Sequence, residues 1–226
     1  MASMMNLMRE ARHDRDVLRV LADPYALNPE GERRGPDRAD QRGIGFEAEA
    51  RSWTAPFIMA SVNTRVVRRS HALLGYPWGP DFRYREAVRT GPGAGGWIRS
   101  ASVTAGVGGL VGLASFDWSR NLLERFALPQ PGSGPDADAR ERGFFNLEQI
   151  GTFADGRHIR SRITGDRDPG YGSTSRMLAE CAVCLALDDL DSGGGVLTPA
   201  AAMAAPLIER LQTNAGLTFE IRDRQR

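Results

Sequence analysis

The sequence runs to 226 residues, 41% hydrophobic and 25% charged, with a formal net charge of +1. These are ordinary globular values and enough chain for one sizeable domain with an ample core; the near-neutral charge gives no field that would recruit nucleic acid. All 29 basic residues are arginine, so no lysine can serve as Schiff-base nucleophile or general acid, and histidine is limited to His13, His71 and His158.

Met4, Leu7, Met8, Ala11, Leu18 and Leu21 recur at helical spacing and predict an amphipathic helix over residues 1–21. The opening M-A-S-M-M-N-L-M has neither a basic n-region nor a cleavage site, so no signal peptide is expected. Residues 22–45, rich in Pro, Gly and charge, predict a long surface connection. A helix follows over Ala60–Leu74, capped by Ser61 or Asn63 and stopped by Gly75 and Pro77. Its Arg65, Arg68 and Arg69 share one side, which reads as a solvated face or as a cluster that meets phosphate. A strand is predicted over Asp81–Arg89, with Phe82, Tyr84 and Val88 on one face and Arg83, Arg85 and Arg89 on the other.

The segment 91–128 is an apolar, glycine-rich insertion. Ser100–Phe116 holds no charged residue, and Gly106, Gly108, Gly109 and Gly112 punctuate it. It falls short of the roughly 20 residues that span a bilayer. Gly106–Gly112 also lacks the spacing of a dinucleotide fingerprint. A buried helix, a lipid-facing hairpin and the wall of an acyl tunnel remain open, with an apolar surface or tunnel near lipid favoured over plain core. An amphipathic tail, Trp118–Leu128, and a flexible loop over 129–142 follow. Asp155-Gly156 between two alternating runs, Phe145/Leu147/Phe153 and Ile159/Ser161/Ile163, predicts a β-hairpin. Arg160 and Arg162 on its second strand would make an arginine-lined sheet face with Arg83 and Arg85.

Gly165–Met177 (G-D-R-D-P-G-Y-G-S-T-S-R-M) stands between that hairpin and an apolar helix over 173–190. Asp168-Pro169-Gly170 reads as a turn, Gly172 as a position needing glycine's conformational freedom, and Ser173, Thr174 or Ser175 as the cap. Such a helix start offers unpaired N–H groups to an anionic or carbonyl ligand. Cys181 and Cys184 lie inside the helix, with Met177, Leu178 and Leu185, and read as buried core thiols in a reducing, cytoplasmic setting. Asp188, Asp189 and Asp191 read as a solvated helix end and not as a metal site, because no histidine accompanies them. Thr198-Pro199 starts a last helix that Pro206 kinks or restarts, and Leu217–Arg222 alternates as a final strand. The order of elements predicts an α+β domain, a largely antiparallel sheet with helices packed on one face.

Thr54–Ser70, Gly79–Glu86, Gly165–Leu190 and Glu209–Glu220 together resemble saccharopine dehydrogenase-like oxidoreductases, most closely the trans-acting enoyl reductases of polyketide-lipid assembly. The likeness covers nearly the whole chain but only the C-terminal half or more of such a protein, and the Rossmann domain's glycine-rich loop is not matched. Residues 1–21 would then be the helix that crosses into the second, substrate domain. The resemblance implies NAD(P)H for the intact protein and no cofactor bound by this chain alone. It also implies a lipid-linked acyl substrate, an acyl carrier domain and a Rossmann domain as partners, and a place at the inner face of the plasma membrane, with lipid contact through Ser100–Leu128. It places Asn63, Tyr84, Asp168, Tyr171, Ser173 and Thr174 near the substrate cleft, with Arg65 and Gly172 as further substrate-binding candidates. Tyr84 or Tyr171 is then the proton donor. A non-catalytic lipid- or membrane-binding module is the alternative reading.

Overall fold

The computed structural model describes residue 10, residues 14–114 and residues 134–225. Where composition suggested one domain over 1–226, the chain divides into two compact units, Met1–Gly132 and Ser133–Arg226. The class is α+β, as the element order predicted. Its antiparallel strands, however, are shared between two three-stranded sheets, one in each unit. Every ladder closes within its own unit, so each unit satisfies its own strand hydrogen bonds.

In the first unit, α1 (Arg15–Ala22) is capped by Asp14, whose side chain accepts from the Asp16 N–H at 2.8 Å. Most of the helix predicted over 1–21 lies outside the described residues. Strands β1 (Gly45–Glu47), β2 (Ser52–Pro56) and β3 (Ala87–Gly91) lie side by side in that order, and α2 (Ala60–Leu73) connects the last two. Neither Ser61 nor Asn63 caps α2. Its N-cap is Met59, and Asn63 turns its amide to Glu86 instead. Gly75 does end it, in the left-handed region with φ +74°.

The segment read as a surface connection over 22–45 is pinned down. Tyr25 and Asn28 are buried, and Asp37 and Asp40 reach the α2 arginines. The predicted strand over Asp81–Arg89 also shortens, because pairing begins only at Ala87. The Tyr84 N–H donates to Asp37 Oδ2 at 3.1 Å, and the Tyr84 carbonyl accepts from Arg68 Nη2 at 2.9 Å. With both backbone groups taken by side chains, that stretch cannot join a ladder.

After β3 comes α3 (Gly93–Ala114), a single helix through the described part of the apolar segment. Its first turns lie against β2 and β3: Ser100 is fully buried, its hydroxyl 2.7 Å from that of Thr90, and Arg99 Nε donates to the Thr90 carbonyl at 2.8 Å. Beyond Ser100 the helix is half-buried to exposed, with Val111 and Leu113 both open to solvent. Gly108 and Gly112 meet no neighbour, so the close helix contact their spacing permits is not made among the described residues. No helix of the described residues is long and apolar enough to cross a membrane. The tail Trp118–Leu128 lies outside the described residues.

In the second unit, the later part of the loop predicted over 129–142 is helical, α4 (Ala137–Arg142), because Asp136 caps it by accepting from the Ala139 N–H at 2.7 Å. Strands β4 (Phe145–Thr152) and β5 (His158–Gly165) form the predicted hairpin, from Phe145 opposite Gly165 to Thr152 opposite His158. β6 (Leu217–Gln225) pairs on the other side of β5. Arg160 and Arg162 lie on β5 and face Glu148 and Asn146, whereas Arg83 and Arg85 lie before β3, so the four do not line one sheet.

Helices α5 (Gly172–Leu187) and α6 (Pro199–Asn214) pack together, with Thr198 capping α6 and a kink at Ala204 two residues before Pro206. The core gathers Cys184, Met203, Leu207, Leu211, Ala215 and Leu217, and Met177 and Cys181 pack against it. Leu178 and Leu185, read on the same face, are exposed. Asp188 is no solvated helix end, since Arg210 holds both its oxygens at 2.6 Å.

Candidate functional site

The residues singled out by the sequence fall into two groups, one in each unit. In the first, α2 projects Asn63 and the segment before β3 supplies Tyr84, and a residue not singled out, Glu86, joins them. Asn63 Nδ2 donates to Glu86 Oε2 at 2.9 Å, and the Tyr84 hydroxyl donates to Glu86 Oε1 at 3.0 Å. Burial, the Glu86 charge and this hydrogen bond all push the Tyr84 phenol well above its usual range. Its proton is therefore held, which makes it a reluctant acid. The i, i+2 spacing of Tyr84 and Glu86 places them on one side of an extended segment, a signal that was readable in the sequence.

Arg65 does not join this group. Its Nη1 donates to Asp40 Oδ2 at 3.0 Å and to the Ser61 carbonyl at 2.7 Å, and its Nη2 donates to the Leu21 carbonyl at 2.8 Å. Arg68 is likewise consumed by Asp37 at 2.7 Å and stacks over the Tyr25 ring at 5.5 Å. The α2 arginines are thus neither a solvated face nor an open phosphate cluster: Arg65 and Arg68 are buried and paired.

In the second unit the loop before α5 is organised by Asp168. Its Oδ2 accepts from the N–H groups of Tyr171 at 2.7 Å and Gly172 at 3.3 Å, and its carbonyl accepts from the Ser173 N–H at 2.8 Å. These backbone donors, Tyr171 first, hold the Asp168 carboxyl below its usual range. The expected cap by Ser173, Thr174 or Ser175 is not made; the three hydroxyls donate to the carbonyls of Arg167, Pro169 and Gly172. The first two N–H groups of the helix, on Gly172 and Ser173, are therefore taken by Asp168. Gly172 is favoured by close approach and not by φ, since an added Cβ would lie 3.0 Å from the Arg140 carbonyl oxygen, which would have to give way slightly. Tyr171, 57% exposed, stands beside a cavity of about 350 Å³ with Gly172, Arg140, Glu141, Arg167 and Arg176. Of the two tyrosines, Tyr171 is the more exposed.

Cys181 and Cys184 are free, half-buried and fully buried respectively, and burial pushes both thiols up, as for core cysteines. Among the described residues no three His, Cys, Asp or Glu side chains are grouped to hold a metal ion.

A dinucleotide site needs a glycine-rich turn from a parallel strand into a helix. The sequence reading dismissed Gly106–Gly112 but passed over G-P-G-A-G-G at Gly91–Gly96, which has the G-x-G-x-x-G spacing and joins β3 to α3. Its last glycine is sterically compelled: a Cβ at Gly96 would lie 1.9 Å from the Gly91 carbonyl oxygen. Yet β3 pairs antiparallel on β2, and no strand pair among the described residues is parallel. Among the described residues, this turn therefore lacks the parallel-strand setting of such a site.

The chain is 42% identical over 97% of its length to a Mycobacterium tuberculosis protein named as a candidate trans-acting enoyl reductase, covering 54% of that protein. It is 37% identical to a trans-acting enoyl reductase of Mycobacterium ulcerans and 38% identical to one of Mycobacterium bovis, covering 93% of this chain and 52% of each relative. The chain spans about half the length of the curated relatives it matches. No family model and no solved structure matches it.

Proposed function

We propose that this chain is the acyl-binding portion of a nicotinamide-dependent reductase of the trans-acting enoyl reductase type, within the saccharopine dehydrogenase-like oxidoreductases, acting on lipid-linked acyl chains. The observation that carries the reading is the 42% identity over 97% of the chain to a relative of which the match covers 54%. In this reading a nicotinamide supplies the hydride when bound, and a dinucleotide-binding domain outside these residues holds it. No hydride step is assigned to the residues described above. Their part is to bind and orient: Tyr171, exposed at the cavity, donates a hydrogen bond to the acyl carbonyl, while Asp168, Gly172, Ser173 and Thr174 keep its loop in place. Asn63, Glu86 and Tyr84 form a second polar group in the first unit, where the raised phenol argues for orientation over proton transfer.

The test is calorimetric titration of the purified chain with a medium-chain enoyl-pantetheine thioester and, separately, with NADPH and NADH. The thioester is expected to bind saturably and more weakly to Tyr171→Phe, with neither dinucleotide binding. A chain with no affinity for the thioester sinks the acyl-binding role. Saturable NADPH binding overturns the proposed division of labour and makes Gly91–Gly96 the place to mutate.

A second reading, a peripheral lipid-binding module at the cytoplasmic membrane face, is favoured by α3. The run from Ser100 to Phe116 has no charge, and Trp97, Ile98, Val111 and Leu113 are exposed along the helix. Co-sedimentation with liposomes that is lost in Ile98→Asp/Val111→Asp would support it.

A further inference from the structure

The cavity beside the start of α5 has a composition that acyl binding does not explain. Its volume of about 350 Å³ is at the lower end of small-molecule sites. Three arginines line it, Arg140, Arg167 and Arg176, against a single carboxylate, Glu141, leaving two positive charges in excess. Glu141 reaches Arg167 at 3.7 Å, too long for a hydrogen bond. The Arg167 Nε is buried and has no acceptor, an arrangement that costs stability unless a ligand or solvent oxygen completes it.

Neither Arg140 nor Arg176 makes an ion pair among the described residues. The nearby Asp168 feels the Arg140 charge, but its carboxylate is occupied by the backbone of its own loop. Because Asp168 also takes the first N–H groups of α5, the positive character of the cavity comes from side chains and not from the helix end.

We propose that this cavity binds a phosphate ester of a small organic molecule, the phosphate seated among Arg140, Arg167 and Arg176 and the organic part against Tyr171 and Ala137. A phosphate monoester is close to a dianion at neutral pH, matching the excess charge. The forked guanidinium group suits its oxygens better than any other cation would. The volume corresponds to roughly a dozen waters at about 30 Å³ each, room for more than a bare phosphate. The inference stands on the cavity and not on the reductase reading, and its readout, phosphate binding, is separate from thioester or dinucleotide binding.

The experiment titrates the 226-residue chain with phenyl phosphate, phenol and inorganic phosphate by calorimetry. Phenyl phosphate is expected to bind saturably, about tenfold or more tighter than either fragment, in line with one or more charge-assisted hydrogen bonds plus an organic contact. Arg140→Gln/Arg176→Gln, both solvent-accessible positions, should lose at least about tenfold in affinity with an unchanged melting profile. Glu141→Gln should bind phenyl phosphate more tightly than the parent. No saturation by roughly 10 mM, a range still weaker than ordinary specific sites, would overturn the proposal. So would affinity that survives the double substitution, or inorganic phosphate or phenol binding as tightly as the ester.

Discussion

Arg65 and Arg68 in the first unit have side chains only 10% and 4% exposed, and each is met by an aspartate of the 22–45 segment at 3.0 and 2.7 Å. Arg140 and Arg176 in the second unit sit at a cavity with no carboxylate in ion-pair range among the described residues. The residue type is the same and the local sequence in each case is helical or next to a helix. What differs is whether a distant segment brings an acid to the guanidinium. Paired and buried, arginine becomes a fastening between α2 and an otherwise irregular segment. Unpaired and accessible, it becomes a place for an anion.

That contrast can be broken most sharply at Arg68. Arg68→Met leaves Asp37 at a site where both side chains are at least 90% buried, and removal of one partner of a buried pair is expected to cost about 3–5 kcal/mol in urea unfolding. An effect below about 1 kcal/mol would mean the pair is solvated in practice, as a surface pair is. Leu211→Ala in the core of the second unit should cost about 3 kcal/mol by the same measurement. It shows how far a purely apolar fastening matches a charged one.

Between these limits lies Asp188, where Arg210 holds the carboxyl at about 2, below its ordinary 3.8. A carboxyl depressed on folding adds stability that is fully present above its unfolded value and lost as pH falls through the folded one. Thermal melts from pH 7 down to about pH 2 should therefore fall more steeply for the parent than for Asp188→Asn, with the difference confined below about pH 4. Smallest of all, Arg176→Gln should change stability by no more than about 0.5 kcal/mol, as befits an accessible side chain outside any ion pair among the described residues. A loss comparable to that of Arg68→Met would show that the cavity arginines fasten the fold too.

Much of this was legible along the chain. The Asp155-Gly156 hairpin, the Thr198-Pro199 helix start, the Pro206 kink and the Gly75 stop depend on neighbours within a few residues, and each was found where expected. The turn at Asp168 that leads into α5 was legible for the same reason, although the N–H groups there go to Asp168 instead of to the hydroxyls after it. The strand predicted over Asp81–Arg89 failed because the alternation was real but its backbone was claimed by Arg68 and Asp37. These are residues 16 and 47 positions from Tyr84.

The sequence alone determined the α+β class, the hairpin turn and the Thr198 cap, the absence of lysine chemistry and the likeness to enoyl reductases. Each of these is carried by composition or by short-range pattern. Only the tertiary structure decided that the strands form two sheets in two units, that Glu86 joins Asn63 to Tyr84, and that some arginines are buried while others line a cavity. The physical reason is that a charge has no fixed role along a chain. Its energy depends on which opposite charges and how much water surround it, and folding sets both through contacts that sequence spacing does not encode.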